Sequence, residues 1–347
     1  MLTTILLTLI IFLGFLMVVS FFFSVAADIS LPPWATLVGA LAIALVFMFI
    51  QYAVSPYIVR VSTRLRYLNP DENRWLEDMV KELSNAAGVP MPKLAVTPDP
   101  TPNAFAFGNS ANNMTVAVNQ GLLARLNEDE IQGVIAHEIG HIKHKDCVIM
   151  TFMSAIPLIA YIVVRMAFSF SYVGSSGRRS DRGSGGALIL IAGAVALVVY
   201  FISQLLVLRL SRLREHFADA FSGYVTQSPR SLESALTRIT YGLSLSPIES
   251  HGARALYIAD PALARQEAGE IIKQKSDYDL DHDGVLDEHE LGLAMEQEAK
   301  KQSTWRSLNA AFATHPPTYK RILLLRQIEQ EIASRGTAPT NIYAHIR

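Results

Sequence analysis

GVIAHEIGHIKHKD, residues 133–146, holds His137-Glu138-Ile139-Gly140-His141 directly after the apolar run Val134, Ile135 and Ala136. On a helix, residues four apart share a face, so the two imidazoles can ligate one ion. Glu138 then lies beside the first ligand. Zinc lowers the pKa of a water it binds, and a nearby carboxylate can take the proton as that water attacks a carbonyl. A catalytic zinc needs a third protein ligand and an open position. The segment SRLREHFADAF, residues 211–221, offers Glu215 and Asp219, again four apart. Glu215 completes a two-His, one-Glu site. Asp219 is placed to accept a hydrogen bond from a liganding imidazole and fix its tautomer. By itself Glu-x-x-x-Asp is common on solvated helices, and two histidines four apart can be mere surface residues. His144 and His216, close by, read as surface or packing histidines.

Working outward, the chain of 347 residues is half hydrophobic, with a formal net charge of −1 and a mean hydropathy of +0.26. The apolar residues gather in four blocks, 2–27, 34–54, 147–172 and 187–208. Each supplies the ~20 residues needed to cross a hydrocarbon core of ~30 Å. Trp34 and Tyr52 lie near the ends of the second block, where amphipathic rings favour the membrane interface. Arg165, within the third, falls late enough to snorkel. A signal peptide would need a basic leading region, and no Lys or Arg precedes Arg60. The first block is therefore expected to be a retained span, and the lipid bilayer a partner.

Basic residues set the expected orientation. Arg60, Arg64, Arg66, Lys143, Lys145, Arg209, Arg212 and Arg214 flank the spans on one side, against Arg178, Arg179 and Arg182 on the other. The positive-inside tendency then puts both termini and the segment between spans two and three in the cytoplasm. The Ser- and Gly-rich loop 174–186 reads as a flexible outer connector. A near-zero net charge gives no case for nucleic acid. The single Cys147 rules out an intrachain disulfide and is compatible with a reducing compartment. The expected division is 1–60 for two spans, 61–146 for the first part of a soluble domain, 147–208 for a membrane hairpin and 209–347 for the second part. Within the soluble parts, Trp75, Leu76, Met79, Val80 and Leu83 have helical spacing over 71–88. Segments 93–96 and 113–118 read as strands and 127–145 as a helix.

Several motifs now combine: PNAFAFGN (102–109), VAVNQGLL (116–123), EIQGVIAHEIGHIKHKD (130–146), SRLREHFADAF (211–221), ALYIADP (255–261) and ATHPPTYKRI (313–322). In content and order they resemble the HtpX family of membrane zinc metalloproteases, relatives of the CAAX prenyl proteases. The resemblance implies a mainly α fold, four spans with a cytoplasmic gluzincin-like α+β protease domain. It implies an endopeptidase of the inner membrane that cuts membrane or misfolded proteins, a quality-control and stress-response role. His137, His141 and Glu215 correspond to zinc ligands, Glu138 to the base and Asp219 to a partner of a ligand. Asn103, Ala104 and Phe105 correspond to an edge strand that aligns a protein or peptide substrate by strand addition. His315 and Arg321 correspond to residues lining the site, where a histidine can donate to a developing oxyanion. A capping histidine before two prolines is the plainer reading of His315.

One segment lies outside the family pattern. DLDHDGVLDEHE, residues 279–290, places Asp279, Asp281, Asp283, the Val285 carbonyl, Asp287 and Glu290 at the ligand positions of an EF-hand loop. Gly284 sits at the turn and Leu286 at the hydrophobic position. With flanking helices over 266–276 and 291–301, the expectation is a calcium-binding insertion, 266–301, with one hand and weak affinity. The rival functions are a prenyl-protein endopeptidase, which would want a larger membrane chamber, and a calcium-responsive membrane sensor with a vestigial protease domain. Glu138 and the complete ligand set oppose the latter. Oligomeric state is left open.

Overall fold

The computed structural model describes residues 1–26, 32–174, 183–244, 257–282, 290, 293–294, 297, 311–335, 342–343 and 346. Asp283, Val285 and Asp287, most of the 174–186 connector and most of the 291–301 helix lie outside these residues. The chain is mainly helical and divides into two compact units, Met1–Ser55 with Val148–Leu210, and Pro56–Cys147 with Ser211–Arg347.

The first unit is built from α1 (Leu2–Ala26), the leading part of α2 (Pro33–Thr63), α6 (Asp146–Gly174) and the leading part of α7 (Gly183–Thr226). Among the described residues, four helical segments are long and apolar enough to cross a membrane: Leu2–Phe22, Trp34–Thr63, Asp146–Ser169 and Leu188–Thr226. Their shared core joins Phe12, Phe15 and Leu16 to Met48, Met153, Ile156 and Val207. Buried Ala155, Ala160 and Ala196 let backbones approach, the usual solution where neighbouring lipid is as apolar as the helices. Gln51 donates from Nε2 to the Thr151 carbonyl and to Ser154 Oγ, each at 3.1 Å. The fourth span is expected to end near 208; the first unit ends at Leu210, and helix α7 itself runs on unbroken to Thr226. No proline stands between those positions to stop it.

The second unit centres on a four-stranded sheet of order β1-β2-β4-β3, with β1 Arg66–Tyr67, β2 Lys93–Thr97, β3 Ala104–Gly108 and β4 Met114–Asn119. β2 and β4 are parallel, Leu94 opposite Val116, while β3 runs antiparallel to β4, Ala104 opposite Val118. All six residues of β4 are buried, as befits an inner strand. β3 lies at the edge of the order. Asn103 O accepts from Asn119 N, so by antiparallel alternation the backbone groups of Ala104, Ala106 and Gly108 face away from β4.

Helices cover this sheet. Asn73 caps α3 (Arg74–Ala87), whose stripe of Leu76, Val80, Leu83 and Ala87 is buried. α4 (Gln120–Leu123) follows β4 directly. α5 (Glu128–Lys143) opens with a full capping box between Asn127 and Glu130. It packs against the sheet, α3 and α8 (Pro229–Ser244), with Val134, Ile135 and Ile139 wholly buried. α9 (Pro261–Lys273), α10 (Lys275–Tyr278) and α11 (Thr318–Arg335) follow in the second unit.

Close approach of α8 to α5 depends on Gly133, where a Cβ would meet Leu232 N at 2.8 Å and its Cα at 3.0 Å. These are backbone atoms with no rotamer to yield. Gly133→Ala should therefore destabilise the protein by ~1–3 kcal/mol through overpacking, read by thermal or chemical unfolding of the purified protein in detergent. Unchanged stability would show that α8 slides away at little cost.

Candidate metal centre

α5 and α7 meet at the site. His137 and His141, one turn apart on α5, face Glu215 of α7, and one ligand atom from each lies within 4.8 Å of the others. The two Nε2 atoms are 3.1 Å apart. Glu215 Oε2 is 3.5 Å from His137 Nε2, and its Oε1 is 3.5 Å from His141 Nε2. The rings stand nearly perpendicular, at 89°. Gly140 makes room for α7 here, since a Cβ would come within 3.2 Å of Ala218 Cα.

The far side of each imidazole is occupied in the same way. His137 Nδ1 is 3.0 Å from Asp219 Oδ1. Arg321 of α11 grips that carboxylate with both arms of its fork, Nε to Oδ2 at 2.8 Å and Nη2 to Oδ1 at 2.6 Å. Its Nη1 donates to the Ile258 carbonyl. His141 Nδ1 is 2.6 Å from Asp146 Oδ2, and the other oxygen of Asp146 pairs with Arg214. A carboxylate at Nδ1 holds the proton there and leaves Nε2 as a lone pair. Two such lone pairs, 3.1 Å apart, repel unless a cation or proton stands between them.

Charge points the same way. Glu138, Asp146, Glu215 and Asp219 are all buried, as are Arg214 and Arg321. With all six ionised, the four carboxylates exceed the two guanidiniums by two charges, and buried charge demands compensation. Among the described residues Glu215 Oε2 has no hydrogen-bond partner, though His137 Nε2 and Arg321 Nη1 each lie 3.5 Å from it. Two imidazole nitrogens, a carboxylate and an excess of buried carboxylates over guanidiniums fit a divalent cation.

Glu138 lies beside the ligands. Burial raises its carboxyl above the ordinary value, against the pull of His141 and His137, and the Ala106 amide of β3 hydrogen-bonds to it. The Ala106 carbonyl receives Cys147 Sγ at 3.4 Å, so the outer edge of β3 is tied to the site at this residue. His315 is buried, with Nε2 3.6 Å from Glu215 Oε1 and Nδ1 2.9 Å from Thr314 Oγ1. Burial lowers its pKa despite the Glu215 charge.

The other candidates divide. Asn103 is buried, and its side-chain oxygen accepts from Ile258 N at 2.9 Å. Phe105 packs with Leu65, Ala95, Phe107 and Ala117. Arg321 is fully buried behind Asp219 and holds the carboxylate in place. His144 is a packing histidine, 2.6 Å from Tyr343 Oη and edge-on to Phe217 and Phe221. Asp146 and Arg214 were missed in the sequence as site residues. The available signal was a pair of charges at the mouths of two apolar spans. Farther off, Asp279, Asp281 and Glu290 bring ligand oxygens within 4.8 Å of one another. Glu290 accepts from the Leu280 and Asp281 amides.

The chain has relatives among known proteins. The model of Peptidase family M48 matches residues 70–329. A Protease HtpX homolog of Aeropyrum pernix is 34% identical over 296 residues, 84% of this chain and 86% of the relative. One from Methanothermobacter thermautotrophicus is 40% identical over 202 residues, 58% of this chain and 72% of that protein. Among solved structures, that of S. mikatae Ste24p aligns over 89% of this chain and 61% of its own, with a TM-score of 0.46 and 16% identity.

Proposed function

Since this chain belongs to peptidase family M48 and is a membrane metalloprotease of the HtpX kind, we propose that it is a zinc endopeptidase. In this reading His137, His141 and Glu215 hold one zinc ion, and Glu138 moves the proton. The observation that carries it is the clustering of a nitrogen from His137, a nitrogen from His141 and an oxygen of Glu215 within 4.8 Å of one another. Bound there, zinc would polarise the scissile carbonyl and activate water. Glu138, placed next to His137, takes the proton of the attacking water on a carboxylate oxygen and passes it to the leaving amine. His315 Nε2 is the candidate donor to the carbonyl oxygen as its charge develops.

The Asn103–Phe105 stretch supports a substrate strand through its backbone. Only Ala104 of the three presents outward-facing groups, which suit strand addition by a protein or peptide. Membrane or misfolded proteins are the proposed substrates, in a quality-control role. Glu138→Gln should abolish cleavage of an unfolded test protein while zinc remains stoichiometric. Chelator should silence the wild type and added zinc restore it. Loss of zinc in Glu138→Gln would move that residue among the ligands.

The excess of basic residues beside the spans supports a cytoplasmic catalytic domain in the inner membrane. In Cys147-free variants, single cysteines placed within 176–184 should label from outside. Those within 110–112 should label only once the membrane is broken. The reverse pattern would invert the orientation.

A second cation, calcium, is proposed at 279–290. The clustering of Asp279, Asp281 and Glu290 favours it, and the sequence alone supplies Asp283, Val285 and Asp287. Ile271, Tyr278 and Ala294 pack with Ile322, which adjoins Arg321, and Glu267 of α9 accepts from the Thr318 amide that opens α11. Ordering of the hand would thus bear on the helix that carries Arg321. A cytoplasmic role needs affinity near ~10⁻⁷ M. Calorimetry of the intact protein should show calcium heat that Asp279→Ala removes. No heat in the wild type would end this reading.

A further inference from the structure

Asp146 and Arg214 take no part in the proton chemistry above, yet both are charged, both are buried, and they pair with each other. One carboxylate thereby touches both segments that supply metal ligands. Through Oδ2 it orients His141 of α5, and through Oδ1 it holds Arg214 of α7. The local backbone is shaped for this. α5 ends at its cap His144, and Lys145 takes the left-handed conformation, φ +58°, which a lysine adopts only under constraint. That turn folds Asp146, the first residue of α6, back onto His141. Arg214 directly precedes Glu215, and successive helical residues point 100° apart. Fixing Arg214 therefore fixes the roll of α7, and with it the direction of Glu215. The other ligand repeats the device with different residues, Arg321 holding Asp219 and Asp219 holding His137. For stability alone, an apolar pair of similar volume would serve as well as a buried ion pair.

We infer that Asp146 and Arg214 are positioning residues of the metal centre, a clasp that sets His141 and Glu215 against each other and so sets the affinity for zinc. The inference rests on the zinc reading above. Its test uses the purified full-length protein in detergent, with zinc affinity read against a competing chelator and melting recorded with and without zinc. Asp146→Asn and Arg214→Gln should each weaken zinc by ~10–100-fold and shrink the rise in melting temperature that zinc produces. The double variant should bind no more weakly than the worse single one, because both act through one carboxylate. Arg214→Lys, which keeps the charge, should recover most of the affinity. Asp146→Glu keeps charge and ion pair but displaces the carboxylate by a methylene. It should lose at least ~10-fold in affinity and alter the visible spectrum of the cobalt-loaded protein.

A merely structural pair would lower melting of loaded and metal-free protein alike and leave zinc affinity untouched. That outcome, or wild-type affinity and cobalt spectrum in Asp146→Glu, overturns the clasp. Should the Asn and Gln variants fail to fold, Asp146→Glu decides alone. Zinc binding that survives His137→Ala would overturn the metal site itself and the clasp with it. Zinc that depends on His137 but not on Asp146 overturns the clasp only.

Discussion

Two imidazole nitrogens 3.1 Å apart, each ring held at its Nδ1 by a carboxylate, are the constraint around which the second unit is organised. Such an arrangement is repulsive by itself and persists only where each ring is gripped from behind and a positive charge is expected in front. Asp219 and Asp146 supply the grip. They bring their own difficulty, because a carboxylate without water needs compensation. Arg321 and Arg214 answer it, and the charges they leave over are those a divalent cation would cancel. Each demand is met by a residue from a different part of the chain, which explains why the site draws on α5, α6, α7 and α11 together.

The scaffold around α5 follows from that need for rigidity. A helix gripped on every side must be apolar almost all round, and Ile131, Val134, Ile135, Ile139 and Ile142 are buried. Where neighbouring helices come closest it must be bare, hence Gly133 and Gly140. Its start is pinned by the reciprocal bonds of Asn127 and Glu130, and Glu130 also takes Arg238 of α8 at 2.9 Å. Little freedom is left for the two histidines to drift apart.

Much of this was legible in the sequence, for reasons that differ by element. The apolar blocks and the amphipathic stripe of α3 are local patterns, and so are the paired histidines. Glu215 and Asp219 were readable because helical spacing puts both on one face, even though their helix continues a membrane span. Where the apolar span gives way to polar sequence is likewise a local matter of composition, although no residue breaks α7 there. β3 emerged only through resemblance to known proteins, because its pairing with β4 is a long-range matter of register. Asp146 and Arg214 stayed hidden for a more instructive reason. Arg214 was counted as one more basic residue flanking a span, and nothing local distinguishes a charge that faces water from one sealed against a carboxylate.

The placement of the ligands along the chain also has a consequence in time. His137 and His141 are made first, then the apolar helices, and only afterwards Glu215 and Asp219. At ~5–20 residues per second, the ribosome needs roughly 4–15 s to pass from His141 to Glu215. Throughout that interval the nascent polypeptide holds the two proposed histidine ligands without the proposed Glu215. Arg321, which steadies the carboxylate behind His137, arrives later still. With the proposed ligand set, order of synthesis keeps the newborn chain from holding a complete metal centre until its hydrophobic hairpin has been translated.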